Sequence, residues 1–586
     1  MDKTSSTFRC LSAKSMDPVG MPRGVGFMLK YQQTLLSFGL LFPLIANAHL
    51  ISITPSAPFP DNAAAFTTYT TSFTVTNISA GAELTVIDKS ILPSGVSITA
   101  NTCGTVLAPG ASCLITLALQ TGMQGQILSG AVREWASPTV DGVEFPFNVC
   151  VSQALPNITL QPVTVNANLP ALREPIVGHY NGKWLIVSGS TGDFHDFSHC
   201  DFITDIYVYD PQTQALSSVS ISSTDLPASV RNQLVSSDPQ FLQDGNTMYV
   251  IGGYFNADNT TWTTLDTFTA IDVPGMMHAV ETAQTNLASY VKTLDGTPQF
   301  KVTGGQLGKI GDYFYLTYGQ DYEGNYSGLT NTPVQTYTKS IYKFSVDLST
   351  HPITVSIVDT KTNTDPTSGW RRRDYNLAPT MLGDTETLIA LGGPFTPGEV
   401  ALVWTNAIMF DSQLQSYDHV LNQQANQYSS SILPMYSQAS KLSYVATFSG
   451  LSNLYWENGE LVYNIDTNYG NILDLVRSDE HGKGQEYVNV TPIVGASPNI
   501  YIGLVANFLP VDNDTYYDGR GILQLDALPQ TTPTLIGYFY GGLIAATQEI
   551  FGFPNQATNQ VYAIYVTPSV PGTVNWQNVT NLNSGN

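Results

Sequence analysis

From about residue 169 onward, short apolar runs alternate with polar, turn-rich segments, and the runs are of two kinds. The first kind ends in small residues: WLIVSG from Trp184, MYVIGG from Met248, YFYLTYG from Tyr313, TLIALGG from Thr387 and ELVYNID from Glu460. The second kind runs into a polar turn: IYVYDPQTQ from Ile206, FTAIDVPG from Phe268, IYKFSVDLS from Ile341, AIMFDSQLQ from Ala407, ILDLVRSDE from Ile472, ILQLDALPQ from Ile522 and VYAIYVTPS from Val561. Such runs predict buried strands, and the terminal glycines allow the backbone to turn where a Cβ would clash. No stretch shows sustained helical periodicity, so the chain is expected to be all-β. Recurrence every several tens of residues predicts stacked or radial repeats, each unable to bury its sheet face without its neighbours.

Strand, double glycine, loop, aromatic-rich strand and polar turn together resemble the kelch repeat, the blade of kelch-type β-propellers and of the galactose oxidase central domain. The resemblance spans residues 169–567. Gly252-Gly253 and Gly392-Gly393 keep the double glycine, Ser188-Gly189 and Tyr318-Gly319 stand in its place, and the later repeats lose it. The resemblance implies a six- to seven-bladed β-propeller over residues 170–570, with 571–586 as a tail. Seven second-kind runs favour seven blades, whereas the compressed segment 541–560 favours six blades closed by a terminal strand. Strands near 160–165 and 561–567 are the candidates for closure, because an open last blade leaves an unpaired edge.

Between residues 49 and 155 the pattern changes to alternation of apolar and polar residues, in SFTVTNIS from Ser72, AELTVID from Ala82, CLITLAL from Cys113 and EFPFNVC from Glu144. A small N-terminal β-sandwich is expected there, joined by a linker at 156–169 that becomes the first propeller strand. GVSITANTCGTVLAPGASCLITLAL resembles bacterial cell-surface immunoglobulin-like modules in which such a hairpin is closed by a disulfide. The module reads either as a spacer or adhesion element or as a structural lid.

Ahead of it, the apolar run 35–45 is preceded by Lys30 and followed by Ala46-Asn47-Ala48. This is the layout of a secretory signal peptide, too short for a membrane span. Met28 reads as the natural start. Cleavage after Ala48 predicts a soluble secreted, periplasmic or cell-surface protein with no membrane insertion. Removing 1–48 deletes five basic and two acidic residues, so the net charge moves from −23 to −26, which argues against nucleic acid as a partner. Four cysteines then remain in an oxidising compartment. Cys103 is expected to pair with Cys113. Cys150 with Cys200 follows by elimination, with two free thiols as the alternative.

Several clusters could carry chemistry. His49, as the mature amino terminus, invites a copper reading, but no second histidine occurs before residue 178. His195 and His199, with Asp193, Asp196 and Asp201, offer zinc or copper ligands in a loop that does not guarantee their geometry. Asp512, Asp514 and Asp518 offer oxygen ligands for calcium with spacing unlike an EF-hand. Arg371, Arg372 and Arg373, followed by Asp374, form the one basic concentration, and Arg173-Glu174 occupies a comparable place ahead of the first repeat. Arginine forks suit an anionic ligand at the central opening; an ion-pair network between blades is the other reading. With the loop tyrosines Tyr322 and Tyr326, these arginines are the expected ligand-binding residues, on a chain carrying 31 Tyr and 7 Trp.

No G-x-S-x-G elbow or H-E-x-x-H zinc site occurs, and Cys200 is the only cysteine available to a galactose oxidase-like cross-link. The expected function is therefore a secreted binding or adhesion protein recognising a carbohydrate or protein ligand through propeller loops. The alternative is an exported oxidase or glycan-processing enzyme.

Overall fold

The computed structural model describes residues 51–580, apart from 57–58, 60–61, 65–67, 82, 85, 88–91, 93–94, 122–126, 138–139, 153–154, 195–200, 257–260, 326–333, 351, 399–401, 494–500, 551–554 and 569–574. The leader, His49, His195, Asp196, His199, Cys200, Tyr326 and the side chain of Cys150 lie outside the described residues. The chain is mostly β-structure, arranged in many small antiparallel sheets, and it divides into two compact units, residues 1–154 and 155–586.

The first unit contains two four-stranded sheets. One orders Ile51–Pro55, Thr68–Asn77, Ser112–Gln120 and Val96–Asn101; the other orders Asn62–Ala64, Val140–Ser152, Ile127–Ser137 and Val86–Ile87. The alternation read in the sequence is real in Ser112–Gln120, where Cys113, Ile115, Leu117 and Leu119 point into the core with Phe73 and Val75. Ala63 and Val149 of the other sheet join the same cluster. Cys103 and Cys113 form a disulfide across a Cα separation of 4.9 Å.

In the second unit, five sheets arise from successive strands. The first pairs Arg173–Tyr180, Lys183–Ser190, Asp205–Tyr209 and Leu216–Ser220 in that order. The second uses Gln240–Asp244, Thr247–Ile251, Phe268–Asp272 and Val291–Leu294; the third Gln306–Ile310, Tyr313–Thr317, Ser340–Asp347 and Thr354–Thr362; the fourth Asn376–Leu382, Thr385–Leu391, Asn406–Asp411 and Ser416–Asn422. The fifth is built on Ser431–Ser437, Leu442–Phe448, Leu473–Ser478 and Gly484–Asn489, and Trp576–Asn578, within the span expected as a tail, adds an edge strand to it. The sixth draws on both ends of the unit: its strands, from first to fourth, are Asn507–Pro510, Thr534–Tyr540, Val561–Thr567 and Asn157–Val163, the last two pairing along their length.

Each sheet shares an apolar core with the next. Leu185 and Val208 meet Met248 and Ile271; Tyr249 and Phe268 meet Phe314 and Phe344; Tyr315 meets Leu388 and Phe410. Ile389 and Met409 meet Val445 and Val476, and Phe448 and Leu475 meet Phe539 and Ile564. The sixth sheet then meets the first, with Tyr540 and Val561 against Trp184 and Tyr209.

Two runs read as repeat strands have other places. ELVYNID lies in a side hairpin, Leu451–Glu457 with Glu460–Tyr469, and the second strand of the fifth sheet is Leu442–Phe448. ILQLDALPQ is extended only over Leu523–Gln524, which pairs in parallel with Met435 and Tyr436. A third run, FTAIDVPG, leaves its strand for a helix, Val273–Glu281, capped by Asp272 with Pro274 in its first turn. That helix buries Val273, Met276, Met277 and Val280, a helical spacing hidden by its shortness.

The small-residue pair is more regular than the sequence suggested. It follows the second strand of the fifth sheet as Ser449-Gly450, with φ of 57° and 112°, and that of the sixth as Gly541-Gly542, with φ of 74° and 86°. At Gly252 a Cβ would lie 2.0 Å from the carbonyl oxygen of Val302, so only glycine fits that turn.

Candidate functional site

At or just before the first strand of each sheet in the second unit stands one residue with left-handed backbone: Glu174, Asp238, Gly304, Asp374, Ser429 and Val505, with φ between 48° and 63°. Five of these are not glycine, and the conformation costs an L-residue roughly 1 kcal/mol or more. Hydrogen bonding offsets that cost. The Glu174 N–H donates to the Val505 carbonyl at 2.9 Å, Val505 to Ser429 at 2.7 Å, Ser429 to Asp374 at 2.8 Å, Asp374 to Gly304 at 2.8 Å and Gly304 to Asp238 at 3.2 Å. The Asp238 N–H completes the circuit by donating to Glu174 Oε2 at 3.3 Å. A closed ring of six links thus joins the six sheets.

Cavities open on both sides of this ring, and both are lined by Glu174, Asp238, Asp374, Ser429 and Val505. One, of 490 Å³, runs between the first strands of the sheets past Leu242, Leu307, Leu377 and Leu509. The other, of 680 Å³, is bounded by loops and side hairpins that carry Tyr254, Tyr322, Phe395, Ile465 and Glu549. Tyr254 stacks on Trp262 at 5.4 Å and meets Tyr322 edge-on at 5.7 Å, so these walls are fixed by packing. Opposite them the strand Glu460–Tyr469 bulges over 464–467, held by Asn453 Nδ2, which donates to the Asn464 and Ile465 carbonyls at 2.8 and 2.9 Å.

Three ring members are acids. Glu174 Oε1 pairs with Arg173 at 2.6 Å, and its Oε2 accepts from Ser237 Oγ at 2.5 Å. Asp374 pairs with Arg373 at 3.2 Å. Removal from water pushes the Asp238 carboxyl well above the usual carboxylate range, Glu174 and Asp374 push it further, and Arg173 and Arg373 oppose them. Burial likewise lifts Asp374 to about 6, with Arg373 holding it down and Glu174 raising it. Among the described residues, counting Asp466 and Glu549, five carboxyl groups but only one arginine, Arg373, line the larger cavity.

The structure separates the three consecutive arginines. Arg371 donates to the Phe395 carbonyl at 2.5 Å and stacks over Tyr337 at 4.2 Å. Arg372 is fully buried and donates to the carbonyls of Gly369, Gly392 and Asn406. Arg373 alone reaches the larger cavity, together with Tyr322, and donates to Gln320 Oε1 at 2.9 Å while lying over the Phe395 ring at 4.6 Å. The parallel between Arg173-Glu174 and Arg373-Asp374 is structural, since both acids sit in the ring.

Asp512, Asp514 and Asp518 do not converge on an ion. Asp512 accepts from His179 Nδ1 at 2.7 Å and from the Gly182 N–H at 2.5 Å; burial would raise its carboxyl, yet these two bonds hold it below the ordinary range. Asp518 is held by Arg520 and by Gln524 Nε2 at 2.9 Å, and Asp514 is exposed. Among the described residues no three His, Cys, Asp or Glu side chains group as metal ligands. Asp238 and the ring as a whole leave no motif in the sequence because the six ring positions carry five different residue types. The shared feature, a positive φ, leaves a trace only in the prolines that follow Glu174 and Asp238.

Compared with known proteins, the chain matches no family model and no curated protein. A solved structure titled "Structure of YjhT" aligns over 70% of this chain and 99% of that one, at 11% identity and a TM-score of 0.32.

Proposed function

We propose that the second unit is a six-bladed, kelch-type β-propeller whose axis passes through the ring of left-handed residues, and that its 680 Å³ cavity binds a carbohydrate. The first unit is read as an immunoglobulin-like β-sandwich, and the whole as a secreted binding protein. The observation that carries the reading is the cavity: rigid aromatic walls at Tyr254, Tyr322 and Phe395 facing polar groups at Gln320, Arg373 and the ring acids. Aromatic faces with a few convergent polar groups suit a sugar ring, which has apolar faces and a hydroxyl rim. Carboxyl groups outnumber arginine there, so the ligand is a neutral or amino sugar, not the anion that the three arginines suggested.

Glycan-array screening of the secreted protein, followed by calorimetry, tests this. Tyr322→Ala and Glu549→Gln should each weaken sugar binding about tenfold, or about 1.4 kcal/mol, with unchanged melting of the Glu549 variant. An array negative for every neutral and amino sugar overturns the reading. The second reading, a glycan-processing enzyme, draws on Asp238 and Asp374, whose raised carboxyl groups in a cavity suit proton transfer. Turnover of a bound glycan, lost in Asp238→Asn while binding persists, would decide for it.

A further inference from the structure

Away from both cavities, the fifth sheet buries two acids. Asp474 is the second residue of the strand Leu473–Ser478, paired with Thr447 on one side and Val488 on the other. Glu486 lies two residues from Val488 on the strand Gly484–Asn489, a diagonal neighbour on the same face. Both side chains are fully buried. Glu486 accepts from the main-chain N–H groups of Gln424 and Ala425, the latter at 3.2 Å, whereas among the described residues no side chain donates to Asp474, and the adjacent Leu475 N–H is the main-chain group that favours its charged form. The residues paired with Asp474 on the two neighbouring strands, Thr447 and Val488, are uncharged, and the one charged group acting on it is Glu486.

Gln427, equally buried, completes the picture. Its Nε2 donates to the Ile472 carbonyl at 3.3 Å, and its Oε1 has no partner. The second sheet holds the same device in finished form. There Gln233 Nε2 donates to the Thr267 carbonyl at 2.8 Å, and its Oε1 accepts from Thr269 Oγ1 at 2.6 Å. Thr267 and Ile472 both immediately precede the third strand of their sheets, and Thr269 and Asp474 are both the second residue of that strand. Asp474 therefore stands where the repeat places a hydroxyl donor. A carboxylate offers no proton to Gln427; a carboxylic acid does.

We infer that Asp474 is protonated in the folded protein and donates to Gln427 Oε1, so that Asp474 and Glu486 form a buried acid pair that makes the fold pH-sensitive. Burial and the neighbouring Glu486 both push Asp474 upward, and burial lifts Glu486 to about 7 against its two N–H bonds. A folded-state pKa above the unfolded value stabilises the fold at acid pH, and that stabilisation is lost as pH rises through the folded value. The loss from Glu486 runs between about 4.5 and 7, and that from Asp474 runs upward from the ordinary carboxylate range. The strap fixed by Glu486 and Gln427 is the segment that leads, two residues on, to Ser429 in the ring.

Denaturant unfolding of the full secreted chain between about pH 5 and pH 9 tests the pair. The midpoint of the parent should fall as pH rises, and Asp474→Asn should diminish that fall, because an amide N–H donates to Gln427 without ionising; Glu486, Asp238 and Asp374 supply the remainder. The infrared spectrum of the folded parent near pH 7 should contain carboxylic-acid C=O absorption that is weaker in Asp474→Asn, Asp238 and Glu486 supplying the rest. A midpoint independent of pH in the parent, or an undiminished fall in the variant, overturns the inference. So does a midpoint raised by added sodium or calcium near pH 8 in the parent but not in the variant, which would mark a cation in place of the proton. Should Asp474→Asn not fold, Asp238→Asn with ¹³C-labelled aspartate decides at about pH 8, where Asp374 is ionised: a protonated aspartate band supports the inference, and its absence overturns it.

Discussion

The guanidinium of Arg372 donates from Nη2 to both oxygens of Asn406, the main-chain carbonyl at 3.0 Å and the side-chain amide at 3.1 Å. With its further bond to the Gly392 carbonyl at 3.1 Å, it repeats what Gln233 does to Gly252 and Thr267 in the second sheet. Arg372 is thus a strut between the second and third strands of the fourth sheet. Arg372→Ala should destabilise by on the order of 3 kcal/mol, because buried carbonyls lose a charged donor. Arg371→Ala, which loses a less buried stacking contact, should stay within about 1 kcal/mol of the parent. Thermal or denaturant unfolding of the two variants checks the difference.

The ring of left-handed residues predicts an inverted response to glycine and alanine. Gly304→Ala places a Cβ 2.5 Å from Asp374 Oδ1 at a φ of 63°, and should cost about 1 kcal/mol or more. Val505→Gly removes a β-branched residue from a φ of 53°, and should be tolerated within about 1 kcal/mol despite the lost side chain. Equal losses in both variants would contradict the strain argument.

Asp374, lifted to about 6, makes a signed pH prediction. Its folded-state value exceeds the unfolded one, so stabilisation present below about pH 4 is lost as pH rises through about 6. Asp374→Asn lacks that loss. Between about pH 4 and pH 7 the stability difference should shift towards the variant by on the order of 1–3 kcal/mol, read by unfolding at each pH.

For the first unit, peptide mapping without reductant should recover Cys103 linked to Cys113. Reduction should lower that unit's stability by up to about 3 kcal/mol, as its short closed loop is released, while the unfolding transition of the second unit stays in place. Calorimetry with and without reductant separates the two transitions.

What was legible in the sequence was strand content and repetition, because apolar runs and glycine pairs are local signals. Gly392-Gly393 could be recognised by eye; Ser449-Gly450 could not, since serine there takes a positive φ that nothing in its neighbours announces. ELVYNID looked like a repeat strand because it is apolar, yet register with Leu451–Glu457, a non-local fact, makes it a side hairpin. The arginine triplet was visible, but which of three adjacent side chains reaches the cavity depends on partners as distant as Asn406 and Gln320. Asp474 passed unnoticed because a lone acid in an apolar run reads as a strand end; its meaning appears only beside Thr269.

The pairing of Asn157–Val163 with Val561–Thr567 has a consequence for synthesis. The strand made first in this unit waits for Val561–Thr567, so a nascent chain leaving the ribosome holds an unsatisfied edge until that distant strand has been made. Contacts that distant in sequence form slowly, and the exposed edge is open to pairing with other chains meanwhile. A chaperone that shields Asn157–Val163 during synthesis, or a permuted gene that makes the two strands neighbours, should therefore raise the yield of folded protein without changing its final stability.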